Sequence, residues 1–169
     1  MKVLFITLSE LKKKSIISGN LDADKLVQFI EVAQDIHIQN YLGTKLYNKM
    51  QDLVLSTDID LVAYADYKDL LTSYVKPMLV WYAQSSYLPF AMYQISNGGV
   101  YKHRSENSDT VSSEEMKDML NRMNQTADFY TRRFQDYMGY NSHKFPEYNQ
   151  TGNGDMNPDQ NYNFSSWVL

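Results

Sequence analysis

The residue types that most often do chemistry are few in this chain, and their spacing does not suit it. Its three histidines, His37, His103 and His143, fall in separate segments. No Glu-x-x-His or His-Glu-x-x-His pair sets two ligands on one helical face, so a histidine-based metal centre would need convergence over long range. Cysteine is absent, which removes disulfides, thiolate metal sites and cysteine nucleophiles together and fits a reducing compartment. There is no Gly-x-Ser-x-Gly elbow, and Gly98-Gly99 lacks the spacing and the Lys-Ser/Thr ending of a phosphate-binding loop, so those glycines read as turn residues. Glu114-Glu115 sits at the start of an expected helix, where capping and the helix dipole account for it. The expectation is a protein without catalytic residues, metal or cofactor, and not an enzyme.

The basic clusters are Lys12-Lys13-Lys14 and Lys102-His103-Arg104, the second beside Tyr101. Runs of this length are usually solvated turns. The formal charge of -4 argues against a surface that grips nucleic acid along its whole extent. If Lys102 and Arg104 faced a channel carrying DNA, the contact would be independent of sequence and sensitive to salt.

Positioning any of these residues falls to helices. A chain of 169 residues with 43% hydrophobic and 21% charged residues suits one folded core. Thr7-Leu8-Ser9-Glu10 is a capping box opening a short helix to about Lys14. Ser18-Gly19-Asn20 is turn chemistry, and Asp22 caps a second helix with Leu26, Phe29, Ile30, Ala33 and Ile36 on its apolar face. Gly43 is read as a left-handed C-terminal stop with Thr44 capping a third helix through Leu46, Tyr47, Met50, Leu53 and Val54. A long helical stretch from about Leu61 to Ser96 follows, with kinks or a break expected at Pro77 and Pro89. Its apolar part, Tyr74 to Tyr93, contains Lys76 and two prolines and reads as a buried central helix and not a membrane span. The opening Met1 to Ile6 is too short for a signal-peptide core, so no export is expected.

Asn97-Gly98-Gly99 ends that helix, and a short strand-like excursion is expected near residues 98–104. Ser112 or Ser113 then caps a helix whose buried stripe is Met116, Leu120, Met123, Ala127, Tyr130 and Phe134. The fold class is therefore mainly α: a bundle of about four to five helices over residues 1–141, with an extended C-terminal arm over 142–169. That arm is rich in asparagine, glycine and proline, yet contains Phe164, Trp167, Val168 and Leu169. A soluble segment carrying such residues is the pattern of an arm that docks on a neighbour. With 14 Tyr, 7 Phe and 2 Trp, the aromatic content also suits extensive protein contacts.

Five stretches carry a resemblance. Thr7-Leu8-Ser9-Glu10-Leu11-Lys12, then Asp22-Ala23-Asp24 and Tyr41-Leu42-Gly43-Thr44-Lys45-Leu46-Tyr47, resemble the amino-terminal half of phage head–tail connector proteins. Ile95-Ser96-Asn97-Gly98-Gly99-Val100 with Phe145-Pro146-Glu147-Tyr148 is similar to ring or adaptor proteins of crAss-like and related Bacteroidetes phages, over roughly residues 5–148. The resemblance implies a virion subunit assembled in the host cytoplasm into a ring, commonly a dodecamer. Its partners would be the portal and other connector or tail proteins, with genomic DNA passing through the lumen and no membrane involved. It implies that Val100 and Tyr101 belong to a segment projecting toward a neighbour or the channel. It also implies that Phe145, Pro146 and Tyr148 dock on the helices or on the adjacent subunit. Phe164, Trp167, Val168 and Leu169 complete the expected subunit or portal interface, and Lys102 and Arg104 the possible DNA contact.

Two other readings stand beside this one. The helices flanking Gly43 could form a helix-turn-helix in a soluble regulatory or DNA-binding module, although the second offers only Lys45 and Lys49 as basic residues. An enzyme whose site converges from distant polar residues would require a constellation that the sequence does not display.

Overall fold

In a computed structural model of the chain, residues 3–16, 23–91, 93–96, 99–102, 112–150, 152 and 155–160 are described. Helix α1 (Leu8–Lys14) begins as its capping box requires. The Thr7 hydroxyl accepts from the Glu10 amide at 3.1 Å, and the Glu10 carboxylate accepts from the Thr7 amide at 2.9 Å. The run Lys12-Lys13-Lys14 occupies the last turn of α1 and is exposed, where cations offset the negative helix end. Glu10 also receives Lys76 Nζ at 2.7 Å, tying α1 to the central helix.

Helix α2 (Ala23–Ala33) runs into a π-turn (Gln34–Ile38) and then α3 (Gln39–Leu55). The π-turn corrects the expected face. A strict helical period turns Ile36 inward, but the wider turn slips the register by one residue, so Gln34 and Ile38 are buried and Ile36 is exposed. Leu26, Ile30 and Ala33 before it, and Leu42, Leu46, Tyr47, Met50 and Leu53 after it, enter the core.

Burying Gln34 gives its amide work to do. Its Oε1 accepts from the Phe5 amide at 2.8 Å, and its Nε2 donates to the Val3 carbonyl and the Tyr47 hydroxyl, each at 2.9 Å. Gln51 pairs with Val3 as a strand would, accepting from its amide at 3.1 Å and donating to its carbonyl at 2.9 Å. Buried Gln84 accepts from the Ile16 amide at 3.1 Å. Three glutamines thus satisfy backbone groups of the segment before α2, which among the described residues has no sheet to pair with.

The long stretch expected from Leu61 starts later and ends sooner. Short 3₁₀ turns (Asp58–Asp60 and Val62–Tyr64) precede α4 (Ala65–Asp69), a second π-turn (Leu70–Val75) and α5 (Lys76–Ala91). No break occurs at Pro77. In an α-turn its ring would collide with the Ser73 carbonyl and leave it without a donor, and the π-turn just before it widens the helix at that point. Pro89 lies within α5 near its end. Residues 93–96, expected as helix, instead form β1 (Tyr93–Ser96), paired antiparallel with β2 (Gly99–Lys102) in the register Tyr93 to Lys102 and Ser96 to Gly99. The strand-like excursion is therefore a hairpin that begins earlier than the sequence indicates.

Helix α6 (Ser113–Asn141) starts on a second capping box, with Ser112 as the cap and Glu115 as its partner. Its buried positions are Met123, Ala127, Thr131, Phe134 and Met138, while Met116, Leu120 and Tyr130 stay half-buried. Helices α2 and α6 both pack mainly on α5, whose Met78, Leu79, Val80, Tyr82 and Ala83 are buried. The architecture is mainly α, a bundle organised around that central helix.

Candidate functional site

The most constrained place in the bundle is the junction inside α3. Gly43 has φ 71° and ψ 153°, backbone that is open essentially to glycine alone. The sign of φ matches the expected stop, but ψ is extended and not left-handed helical, so the chain breaks and restarts at once. Carbonyls before the break and amides after it lose their helical partners. A strap formed by residues 155–160 replaces them: the Thr44 amide donates to the Met156 carbonyl and the Asp159 amide to the Asn40 carbonyl, each at 2.9 Å. Pro158 sits over Gly43 so closely that a Cβ there would lie 2.6 Å from the Pro158 ring.

Side chains secure the strap on both sides. Gln39 Nε2 donates to the Thr44 hydroxyl at 3.0 Å and reaches Asp155 Oδ2 at 3.4 Å, while Gln135 Nε2 of α6 reaches the Asp159 carbonyl at 3.5 Å. The strap therefore crosses α3 from the face carrying Gln39 and Thr44 toward α6. Outside it, on the first face, lies a shallow groove lined by Asp35, Ile36, Gln39, Thr44, Asn48, Gln51, Asp155 and Met156, with a second hollow beside it lined by Asn48, Gln51, Asp52 and Leu55.

Beneath the junction lies a cluster of titratable side chains. His37 of the π-turn stacks on Tyr82 of α5, with ring centroids 3.8 Å apart and planes within 5°. The Tyr82 and Thr131 hydroxyls are 3.0 Å apart, and Thr131 in turn donates to the Ala127 carbonyl at 2.9 Å, which makes Tyr82 the donor between them. Tyr41 hydrogen-bonds to Tyr82, and burial, that bond and the nearby Asp159 and Asp128 carboxylates hold its hydroxyl well above the ordinary tyrosine value. Burial pushes His37 below the ordinary histidine value, and Asp128 offsets this only in part. The cluster holds a neutral imidazole and a relay of hydroxyls, with neither a nucleophile nor a carboxylate pair poised over a cavity.

The structure disperses the residues singled out from sequence. Phe145 and Tyr148 are fully buried. Phe145 meets Tyr67 edge-on at 5.2 Å, and Glu147 accepts from the Tyr67 hydroxyl at 2.8 Å. Of the two destinations expected for this element, these rings take the chain's own helices, which leaves them no surface to offer a neighbour; Pro146 is exposed. Val100, Tyr101 and Lys102 lie on β2, described by its backbone, while Arg104, His103, Phe164, Trp167, Val168 and Leu169 lie outside the described residues. Lys45 and Lys49, the basic residues of the helix-turn-helix reading, are engaged within the chain, Lys45 with Gln150 at 3.3 Å and Lys49 over the Tyr64 ring at 5.1 Å. Among the described residues, no three His, Asp or Glu side chains converge as metal ligands. The clasp of Pro158 on Gly43 escaped the sequence reading, since its halves are more than a hundred residues apart and only the lone glycine after Leu42 hinted at it.

Two outcomes follow from this geometry. Gly43→Ala forces a side chain into unfavourable backbone and against Pro158, so a loss of about 2 kcal/mol or more is expected in urea denaturation; a loss under about 0.5 kcal/mol, the scale of an ordinary surface substitution, would contradict the clasp. Because the fold lowers the His37 value, the unfolded chain binds more protons as the pH falls below 6.5, so this contribution to stability is present above that pH and lost beneath it. Thermal denaturation at a series of pH values is expected to show this decline in the native chain and a weaker one in His37→Phe, which keeps the ring stack. Equal slopes for the two chains would remove His37 as the cause.

No curated protein and no solved structure matches the chain. A family model does match, over residues 38–158, and its span opens at the last residue of the first π-turn and closes on the proline seated over Gly43. Well over half of the chain lies inside that match, and the protein belongs to this family, described as a family of unknown function (DUF6712).

Proposed function

We propose that the chain is a structural subunit of a phage head–tail connector, assembling as a homo-oligomeric ring, commonly a dodecamer, beside the portal and around the path of the genome. The observation that carries this reading is a pair of unlike apolar patches at the two ends of the central helical column. At one end Leu55, Leu61 and Val62 are exposed, Val62 to 93%. At the other end Phe90 is exposed and packs on Phe29 at 5.3 Å, with Tyr87 also against Phe29 at 5.4 Å. From Val62 to Phe90 the column rises about 40 Å at helical pitch.

Isolated apolar residues on a surface need no explanation, but clustered ones mark interfaces. Two different patches on one subunit suit a heterologous contact, in which one end of a copy meets the other end of the next, and a contact of that kind builds a ring when its rotation closes. Repeating a modest interface around such a ring gives the assembly its stability. The resemblance of residues 5–148 to connector proteins supports the same reading. The regulatory or DNA-binding alternative has only Lys45 and Lys49 as basic residues on its second helix, and each has a partner within the chain.

Val62→Asp and Phe90→Asp change exposed side chains and leave the core intact. Size-exclusion chromatography with light scattering is expected to give a closed oligomer for the native chain and a monomer for each variant. A mixture of the two variants should form a one-to-one heterodimer, because one patch of each kind remains intact. A native chain that stays monomeric up to its solubility limit, or variants that assemble as it does, would contradict the proposal.

A further inference from the structure

The outward face of α6 carries a pattern that complements its own reversal. Exposed residues recur there at intervals of four and three: Asp118, Arg122, Gln125, Phe129, Arg132, Asp136 and, four further on, Tyr140. At 100° per residue they all stay within about 40° of the line opposite the buried stripe of Met123, Ala127, Phe134 and Met138. The exposed stripe is about 33 Å long at helical pitch. Phe129 stands at its middle, 60% exposed, and Tyr140 at its end, 77% exposed. Arg122 is seven residues before Phe129 and Asp136 seven after it, while Asp118 is eleven before and Tyr140 eleven after.

We propose that this face pairs with the same face of a second copy, the two α6 helices running antiparallel about a two-fold axis at Phe129. About that axis each Arg122 meets Asp136 of the other copy, each Tyr140 hydroxyl reaches Asp118, Gln125 stands opposite Arg132, and Phe129 meets its own counterpart. Intervals of four and three are what lets two helices keep a single seam in contact. The relation is that of an isologous interface, in which residue i meets j and j meets i. Parallel pairing would set Arg122 on Arg122 and Asp136 on Asp136, and like charges so placed are repulsive, so the charges select the antiparallel arrangement. They are open to it: among the described residues, no ion pair engages Asp118, Arg122, Arg132 or Asp136.

Such a contact is weak. One apolar ring at the centre, with polar groups along the rest of the seam, falls short of the apolar core of a stable interface, so the pair forms at high local concentration and separates on dilution. It is also distinct from the ring contact of the proposed function. That contact is heterologous and uses the ends of the central column at Val62 and Phe90, whereas Phe129 lies near the middle of α6. A two-fold contact instead pairs free copies or joins one ring to another.

Sedimentation equilibrium of the Val62→Asp chain, which lacks one end patch, tests the pairing over rising concentration at low salt. Dimers are expected, and fewer of them at higher ionic strength, where the cross-pairs are screened. Arg122→Asp and Asp136→Arg, each added to that background, set like charges against each other at both symmetric positions and are expected to weaken dimerisation about tenfold. Combining the two in one chain exchanges the charges and is expected to restore it, as is mixing the two single variants. Both positions are exposed, so the substitutions leave the core intact. A background chain that stays monomeric up to its solubility limit would overturn the proposal. So would charge variants that associate as strongly as the background, or an exchange that restores nothing. None of these outcomes bears on the ring, which is tested separately at Val62 and Phe90.

Discussion

Where a helix ends its last carbonyls lose their partners, and where the next begins its first amides do. At Gly43 both happen at a single residue near the start of the family's matched span, and much of the structure follows from how those groups are satisfied. The strap brings the Met156 carbonyl to Thr44 and the Asp159 amide to Asn40. To come that near, it must lie flat against the break, and only a residue without a Cβ leaves room for Pro158. The positive φ of Gly43 and the approach of the proline are thus one requirement seen from two sides. Chain from the asparagine-rich end of the sequence consequently becomes part of the body. Phe145 and Tyr148 anchor it in the core just after α6, and the strap completes the turn.

The segment before α2 is solved in the same currency of amides. It packs Phe5, Ile6 and Leu11 into the core but has no strand beside it among the described residues, so Gln34, Gln51 and Gln84 take the part of a sheet edge. A buried amide left alone would lose about 1–3 kcal/mol; among the described residues, no buried side-chain nitrogen or oxygen lacks a partner. Since Gln51 and Tyr47 lie inside the family's span while Gln34 and the segment they hold lie before it, the matched core presents a surface already shaped to hold extended chain.

Local signals in the sequence were legible wherever the physics is local. The capping box at Thr7 acts as its spacing indicates, the cap left open between Ser112 and Ser113 falls on Ser112, and the amphipathic stripes of α2 and α6 face α5. The end of α6 at Asn141 also falls where the composition changes. What the sequence hid depends on contacts between distant residues. The π-turns shift register by one residue, so Ile36 and Gln34 exchange places, and no period read along the chain reveals such a slip. The early end of α5 reflects Pro89 together with the pairing of β1 and β2. The composition of residues 142–160 suggests a segment that cannot order itself, which holds only for that segment taken alone. Against the break in α3 it has amides and carbonyls to pair with.

The functional reading follows the same division. A mainly helical body was readable from pattern, whereas the apolar ends of the central column and the outward face of α6 emerge only once the helices are placed. All of this rests on the strap being fastened to the break as firmly as the helices around it. Residue-resolved amide hydrogen exchange on the native chain tests that most directly, through the amides of Thr44 and Asp159. The account expects both to be protected nearly as strongly as the buried amides of α5, opening only with the wider structure. Exchange at the rate of an exposed loop would show that the strap is not bound to the break, and would contradict the account.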